Sequence, residues 1–113
     1  MEGYNKTIII GRVADKPILT RINTKTNSVL YADFKLVNTS KDADGNMIPE
    51  YHNIKCRGKQ AEIVGKNVDK GMLMCVEGSL IIKNGDYRDL IKAERITFLS
   101  TVTKKENINE SVE

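Results

Sequence analysis

The stretch that decides the fold is Tyr51-His52-Asn53-Ile54-Lys55-Cys56-Arg57-Gly58-Lys59-Gln60-Ala61-Glu62. Its first seven residues alternate in polarity, which is typical of a strand with one buried face. One face carries an aromatic ring, an amide and two cations, from Tyr51, Asn53, Lys55 and Arg57. The other face carries His52, Ile54 and Cys56. The pattern predicts a half-buried strand that ends near Gly58.

The polar face of this strand has two interpretations. A basic and partly aromatic surface suits a phosphate backbone whose bases need a ring on which to stack. A solvated strand face that is merely basic has the same composition. The segment alone leaves both interpretations open.

The chain before this strand alternates extended runs with turns. Ile8 to Ile10 is β-branched and stops at Gly11, and Ile18 to Ile22 follows the turn at Pro17. After a polar loop over residues 23–28, Val29 to Thr39 is predicted to return as a strand. Within that strand Ala32, Phe34 and Leu36 share one face. Residues 40–46 are predicted to form a second loop.

The hydrophobic period changes after Gly58. Ala61, Val64 and Val68 fall on one stripe of a short helix predicted over residues 59–69. A long strand is expected over residues 72–83, and Asn84-Gly85-Asp86 is a tight hairpin signal. The return strand is expected over residues 87–99.

Four motifs in this chain resemble, in the same order, those of bacterial single-stranded DNA-binding proteins. The stretch quoted first resembles the third strand and the helix start of that family. The others are Asn5 to Val13, Ala32 to Leu36 and Lys70 to Leu80, which resemble its first, second and fourth strands. The resemblance spans roughly residues 4 to 100. Five strands with one helix between the third and the fourth is the order of an OB-fold, so we expect an all-β protein with one short helix, a five-stranded Greek-key barrel.

Length and composition fit one small domain. The 113 residues suffice for a modest core, which rests on aliphatic residues because aromatic residues are only 5% and Trp is absent. We expect an OB-fold domain over residues 1–100 and a short, polar, acidic and disordered tail over residues 101–113.

The net charge of +3 permits a polyanionic partner without requiring one. No signal peptide or membrane-spanning run is visible, and Cys56 and Cys75 are interpreted as reduced and buried, so a cytoplasmic location is expected.

The sequence gives little support for a catalytic site or a metal site. Asp42 to Asn46 resembles the opening of a calcium loop, but Asn53 stands where a bidentate Glu is required, so a hairpin turn is expected instead. His52 has no second His, clustered carboxylate or nucleophile at a suitable spacing. We expect no enzyme activity, no cofactor and no metal site.

The candidate DNA-binding residues follow from the basic strand face, the resemblance and the last hairpin. Tyr51 stands where the family has an aromatic on which a base lies, and Arg57 replaces a second stacking aromatic, since a guanidinium both stacks and neutralises phosphate. The full candidate set is Lys35, Tyr51, Asn53, Lys55, Arg57, Lys59, Lys70, Lys83, Tyr87 and Arg88. The role of Tyr31 is left open.

The resemblance also implies self-association, as a homotetramer or, as second choice, a dimer. The interface candidates are Lys6, Ile8 and Ile10 of the first strand and His52, which matches a family histidine at a subunit contact. The chain lacks the family's Gly/Pro/Gln-rich linker and acidic tip ending in Phe, so recruitment of replication and repair enzymes through such a tip is not expected. A trimmed chain of this kind suits a phage or plasmid protein or a nucleoid-associated one in a bacterial host.

The sequence therefore predicts sequence-nonspecific binding and protection of single-stranded DNA in replication, recombination or repair. Several family stacking positions differ: a Lys41-Asp42 loop, Ile81 and Gly85 stand at or near places where the family has aromatic or basic residues. The alternatives are a primosome-type OB dimer that hands a strand to a helicase loader, and an OB-fold interaction scaffold with weak nucleic-acid binding. RNA binding also stays open.

Overall fold

The computed structural model describes residues 3–100, with the side chains of residues 83 and 86–88 excepted. Six strands and one helix follow one another along the chain. They are β1 (Thr7–Val13), β2 (Ile18–Asn23), β3 (Ser28–Lys41), β4 (Met47–Arg57), α1 (Lys59–Asn67), β5 (Leu73–Lys83) and β6 (Asp86–Phe98).

Five of the strands close into a barrel. The ring runs β1–β3–β4–β6–β5 and returns to β1, with every pairing antiparallel except that of β4 with β6. The helix lies between the third and fourth ring strands in chain order. The predicted five-stranded OB-fold is confirmed.

The extended piece predicted over Ile18 to Ile22 is confirmed as a strand, β2, which pairs with β3 and stays outside the ring. Two other predicted boundaries are wrong. The strand predicted to begin at Tyr51 begins at Met47, since Lys41 already pairs with Met47. The helix ends at Asn67 rather than at residue 69, because Val68 has an extended backbone.

The core is mainly aliphatic, as the composition predicted. Ala32, Phe34 and Leu36 from β3 and Ile54 and Cys56 from β4 are buried. The helix contributes Ala61 and Val64, and β5 contributes Met74 and Val76. No charged or polar residue is buried in the described part of the chain. Burial of these side chains therefore supplies most of the driving force for folding.

The conformations of two loops follow from the residues within them. Asn84 and Gly85 have φ values of 55° and 82°, as a two-residue hairpin turn between β5 and β6 requires. In the β3–β4 loop the Asp42 carboxylate accepts hydrogen bonds from the backbone N–H groups of Asp44 and Asn46. These bonds lower the pKa of Asp42. The carboxylate thus serves a hairpin turn, as expected.

The two thiols differ in their surroundings. Cys56 is buried and Cys75 only half-buried, so the expectation that both are buried is wrong for Cys75. Burial, together with the nearby charge of Asp33, raises the pKa of Cys56 to about 11.

This difference predicts selective thiol chemistry. Only a thiolate attacks a thiol reagent, and the Cys56 thiol stays protonated until the pH approaches about 11. In folded Cys75→Ser protein at neutral pH we expect no labelling by a maleimide, and full labelling of Cys56 after unfolding. Mass spectrometry of the labelled protein measures both. Rapid labelling of native Cys75→Ser protein would contradict the buried placement of Cys56.

Candidate nucleic-acid interface

The outward side chains of β3 and β4 form four facing rows, because residues opposed in an antiparallel pair point to the same side. The rows are Tyr31 with Arg57, Asp33 with Lys55, Lys35 with Asn53, and Val37 with Tyr51. We call these eight residues the outer β3–β4 face. The alternation along β4 predicted that Tyr51, Asn53, Lys55 and Arg57 share one surface, and the register places the other four, all from β3, beside them.

Tyr51 is the most accessible ring on this face. Its side chain is 57% exposed and lies opposite Val37, a half-buried neighbour. An exposed aromatic ring beside an aliphatic side chain is a platform on which a planar base can stack. Arg57, at the other end of the face, is also exposed.

Lys55 has its charge compensated inside the protein. Its Nζ lies 3.1 Å from Oδ1 of Asp33 and 5.1 Å from the centre of the Tyr31 ring. The ammonium therefore already has an anion and a ring as neighbours. Lys35 and Arg57, by contrast, form no ion pair with any described side chain, so they are the available cations of this face.

Asn53 joins two strands. Its Nδ2 donates to the backbone oxygen of Asp89 at 3.1 Å and lies 3.3 Å from the Asp89 carboxylate. Part of its hydrogen-bonding capacity thus holds β6 beside β4.

A groove of about 830 Å³ runs alongside the outer β3–β4 face. Its lining includes the apolar residues Phe34, Ile54, Ile81 and Leu90 together with Lys35 and Asn53. The turn between β1 and β2 contributes Asp15 and Lys16, β2 contributes Ile18, and Asp33 and Asp89 complete the lining.

The other candidate cations lie elsewhere. Lys59 is the first residue of α1, approaches Glu62 at 3.9 Å, and lines a small cleft with Phe98. Lys70 is exposed in the turn before β5. The structure does not bring either lysine into the four rows. Lys83, Tyr87 and Arg88 belong to the β5–β6 hairpin, and their side chains lie outside the described part.

The interface candidates separate into two places. Ile8 and Ile10 are 59% and 55% exposed on the outward side of β1, while Lys6 lies 3.5 Å from Glu77. His52 is half-buried on β4, which is not a neighbour of β1 in the ring. Its Nε2 donates to Oδ1 of Asn38 at 2.6 Å, and the Asn38 amide donates to Glu50.

Three residues of this region were missed or left open by the sequence, namely Tyr31, Asp33 and Asp89. Asp33 and Asp89 are joined to their partners across 22 and 36 residues of chain. Only the register of β3 on β4, and of β4 on β6, brings them together. The alternation of β3 does give one signal, since it places Asp33 between Tyr31 and Lys35 on the polar side.

Metal and membrane features are few. Residues 3–100 contain no group of three or more His, Cys, Asp and Glu side chains placed to hold a metal ion. In the same residues no helix has the length and apolar character needed to cross a membrane.

Comparison with known proteins gives a consistent result. Residues 4–102 match the model of the Single-strand binding protein family. A single-stranded DNA-binding protein of Bacteroides thetaiotaomicron is 36% identical over 97 residues, which cover 80% of this chain and 57% of that protein. Single-stranded DNA-binding protein 1 of Clostridium acetobutylicum is 29% identical over 92% of this chain and 99% of its own length.

A solved structure agrees with these sequence matches. The crystal structure of wild-type single-stranded DNA binding protein from Thermus aquaticus superposes with a TM-score of 0.69 at 26% identity. The match covers 89% of this chain and 52% of that one. The chain thus spans little more than half the length of the Bacteroides and Thermus proteins, and nearly all of the Clostridium protein.

Proposed function

Because the chain belongs to the Single-strand binding protein family, we propose that it binds single-stranded DNA along the outer β3–β4 face. The observation that carries the proposal is the exposed ring of Tyr51 on the same face as Lys35 and Arg57, two cations without an ion-pair partner among the described side chains. Tyr51 provides the surface for a base, and the cations neutralise phosphate. Such contacts read no base edge, so the binding is independent of sequence to first order.

The proposal extends to the setting of the protein. Residues 1–100 act as one binding domain, in the cytoplasm of a bacterial host, while the tail predicted over residues 101–113 lies outside the described residues. The protein covers exposed strands during replication, recombination or repair, without catalysing a reaction. The exposed Ile8 and Ile10 on one side of β1 support self-association, with the homotetramer first and the dimer second. Sedimentation equilibrium distinguishes these states.

The decisive experiment is fluorescence anisotropy of a labelled oligo-dT of about thirty-five nucleotides. We expect tight binding that weakens with salt, with a slope of about −0.7 in log K against log salt for each phosphate neutralised. A duplex of equal length is the control and should bind more weakly. Equal affinity for duplex and single strand would refute the proposal.

The Asp33–Lys55 ion pair favours one second candidate, an OB-fold interaction scaffold with weak nucleic-acid binding. A face whose central cation is already neutralised attracts phosphate less than its composition indicates. In that case the same experiment gives weak, salt-insensitive binding, and partner proteins become the subject of study.

Asp33→Asn should strengthen binding to single-stranded DNA. Asp33 holds Lys55 at 3.1 Å, so phosphate must compete with the carboxylate for that ammonium. Removing the charge makes Lys55 available, and we expect a salt slope steeper by about 0.7 and an affinity about three- to tenfold higher. The anisotropy titration measures both values.

The matched control is Asp44→Asn, which removes the same charge in the exposed β3–β4 loop. It should leave the salt slope unchanged. If the slope rises equally in both variants, the effect is one of net charge and the ion pair is not the competitor.

A further inference from the structure

We propose that the open edge of β2 pairs with the same edge of a second copy of this chain, antiparallel about a two-fold axis at Thr20. This inference goes beyond the proposed function, because the pairing needs no DNA. It also concerns a different surface from Ile8 and Ile10, which lie on β1. Three features support it, namely the open backbone of β2, the side chains exposed along it and the position of its one charge.

The backbone of β2 has an open edge. Among the described residues, β2 lies at the end of the sheet and pairs only with β3. Just beyond β2, the Thr24 N–H donates to the Asn27 oxygen at 2.7 Å, so these two residues form a hydrogen-bonded pair. Such pairs recur at every second residue of an antiparallel ladder, so the even-numbered residues of β2 bond to β3. The N–H and C=O groups of Leu19, Arg21 and Asn23 therefore point to the open edge.

A hydrogen bond on the other side of β3 agrees with this alternation. Leu30 is opposed to Arg21 in the register of β2 on β3. Its oxygen nevertheless accepts from the N–H of Gly58, which follows β4. The backbone of Leu30 thus points away from β2, as expected where Arg21 points to the open edge.

The side chains of this edge lack the usual protection against pairing. Ile18, Leu19 and Ile22 are 67%, 46% and 50% exposed. Native proteins protect edge strands with lysine, proline or a bulge. The six residues of β2 include neither of these residue types, and their register on β3 is regular. An edge of this kind is a template for a further strand.

The sequence of β2 is complementary to itself when Thr20 lies opposite Thr20 of the second copy. Leu19 then lies opposite Arg21, and both of these residues have their backbone groups on the open edge. Each such pair exchanges two N–H···O bonds. On the other side of the strands, Ile18 lies opposite Ile22 and the two threonines meet at the axis. Pairs of threonines are among the cross-strand pairs that stabilise a sheet.

Other registers are less favourable. A shift by one residue brings an open backbone group opposite one that is already bonded to β3. A shift by two residues in one direction places Arg21 opposite Arg21, where like charges repel. The same shift in the other direction places Arg21 opposite Pro17, which has no N–H to donate. The position of its one charge therefore selects the register centred on Thr20.

The pairing would join the outer β3–β4 faces of the two copies. Ile18 and Thr20 lie opposite Asp33 and Tyr31 of that face, so they point to the same side. A DNA strand that crosses β2 and its symmetry mate contacts both copies, and the second contact becomes intramolecular. This consequence rests on the proposed function, whereas the pairing itself does not.

Cysteine cross-linking tests the pairing without DNA. Residues opposed at a non-hydrogen-bonded position have Cα atoms about 4.5 Å apart, within the range of a disulfide. In Cys75→Ser protein the one native thiol left is Cys56, which is buried. Adding Thr20→Cys should give a covalent dimer with copper phenanthroline as oxidant, seen on a non-reducing gel. The matched control, Asp44→Cys in the same background, should give none. Absence of the dimer in Thr20→Cys, or equal dimer in both variants, overturns the pairing.

A proline on the open edge gives an independent test. Arg21→Pro removes an N–H of that edge and leaves the bonds to β3 in place. Arg21→Gln removes the same charge and keeps the N–H. Sedimentation equilibrium should give the wild-type mass for Arg21→Gln and half of it for Arg21→Pro, with thermal melts as the check of the fold. A wild-type mass for both variants would leave the edge to a different polypeptide and overturn the proposal.

The length of the DNA separates the pairing from the proposed function. Oligo-dT of about ten nucleotides, the span of one OB-fold, should bind equally to Arg21→Pro and Arg21→Gln in an anisotropy titration. Oligo-dT of about thirty-five nucleotides should bind about a hundredfold more tightly to Arg21→Gln. Equal binding of the long strand by both variants overturns the joined face. Binding of neither strand by wild type, with the cross-link formed, overturns the proposed function and supports the pairing.

Discussion

Tyr51→Ala should weaken binding to single-stranded DNA about 5- to 150-fold. Stacking of a base on an aromatic side chain contributes about 1–3 kcal/mol, and this substitution removes the most exposed ring of the outer β3–β4 face. The remaining tyrosine of that face, Tyr31, is half-buried and has Lys55 over its ring, so it cannot replace the lost platform without rearrangement. The measurement is an anisotropy titration with oligo-dT at fixed salt.

Two further variants show whether the ring itself matters. Tyr51→Phe keeps the platform and should stay within about threefold of wild type, because stacking uses the ring face and not the hydroxyl. Tyr4→Ala removes a tyrosine that is 80% exposed outside the outer β3–β4 face, so its affinity should be unchanged. A loss as large in Tyr4→Ala as in Tyr51→Ala would place the strand elsewhere on the barrel.

Gly78→Ala should lower the free energy of unfolding by about 3 kcal/mol, the upper part of the range for overpacking a core. Gly78 is buried in β5 opposite Ala93 of β6. A Cβ atom there would lie 2.1 Å from the backbone oxygen of Lys92 and 2.9 Å from its carbonyl carbon. Backbone atoms of a paired strand cannot move aside as a side chain can. Urea unfolding, followed by far-ultraviolet circular dichroism at fixed protein concentration, measures the effect.

Gly65→Ala is the matched control. Its added Cβ would meet only the end of the Leu19 side chain, which can change rotamer. Alanine is also favoured over glycine inside a helix by about 1 kcal/mol. We therefore expect Gly65→Ala to be neutral or slightly stabilising. If Gly78→Ala is as stable as Gly65→Ala, β5 and β6 can move apart locally and the close approach at Gly78 carries no cost.

The local elements were predictable because their signals are local. Alternation along β4 identified the buried Ile54 and Cys56, and the spacing of Ala61, Val64 and Val68 identified the helix. Whether a strand belongs to the closed ring is not decided by its local sequence. β2 and β1 are both short and β-branched, and only tertiary pairing decides that β1 closes the barrel while β2 stays at its edge.

The start of β4 was missed for a related reason. Proline has no N–H to donate, so Pro49 is an unusual residue inside a paired strand. It is tolerated here since the described pairing of β4 with β6 involves only Ile54 and Lys55, so Pro49 lies in a part of β4 that pairs with β3 alone.

The binding face was predictable in part. Alternation placed Tyr51, Lys55 and Arg57 on one side, and the structure agrees. The sequence did not reveal that Lys55 is neutralised, because Asp33 is 22 residues away and meets it only through the register of two strands. Lys59 and Lys70 look as basic in the sequence as Lys35, yet they lie away from this face, since the position of a lysine depends on the path of the chain around the barrel.

The alternation along β3 and β4 has a consequence for how such a protein can change over many generations. Inward residues such as Leu36 and Ile54 hold the barrel, whereas the residues between them face outward and contact one another, Asp89 or solvent. Substitutions of exposed residues that make no specific contact change the free energy of unfolding by only about 0.5 kcal/mol. The outward residues of β3 and β4 can therefore be substituted one at a time while the barrel keeps folding. Affinity and stability are therefore encoded in interleaved but separable sets of residues. A descendant of this chain can become a tighter or weaker binder with almost no change in its melting temperature.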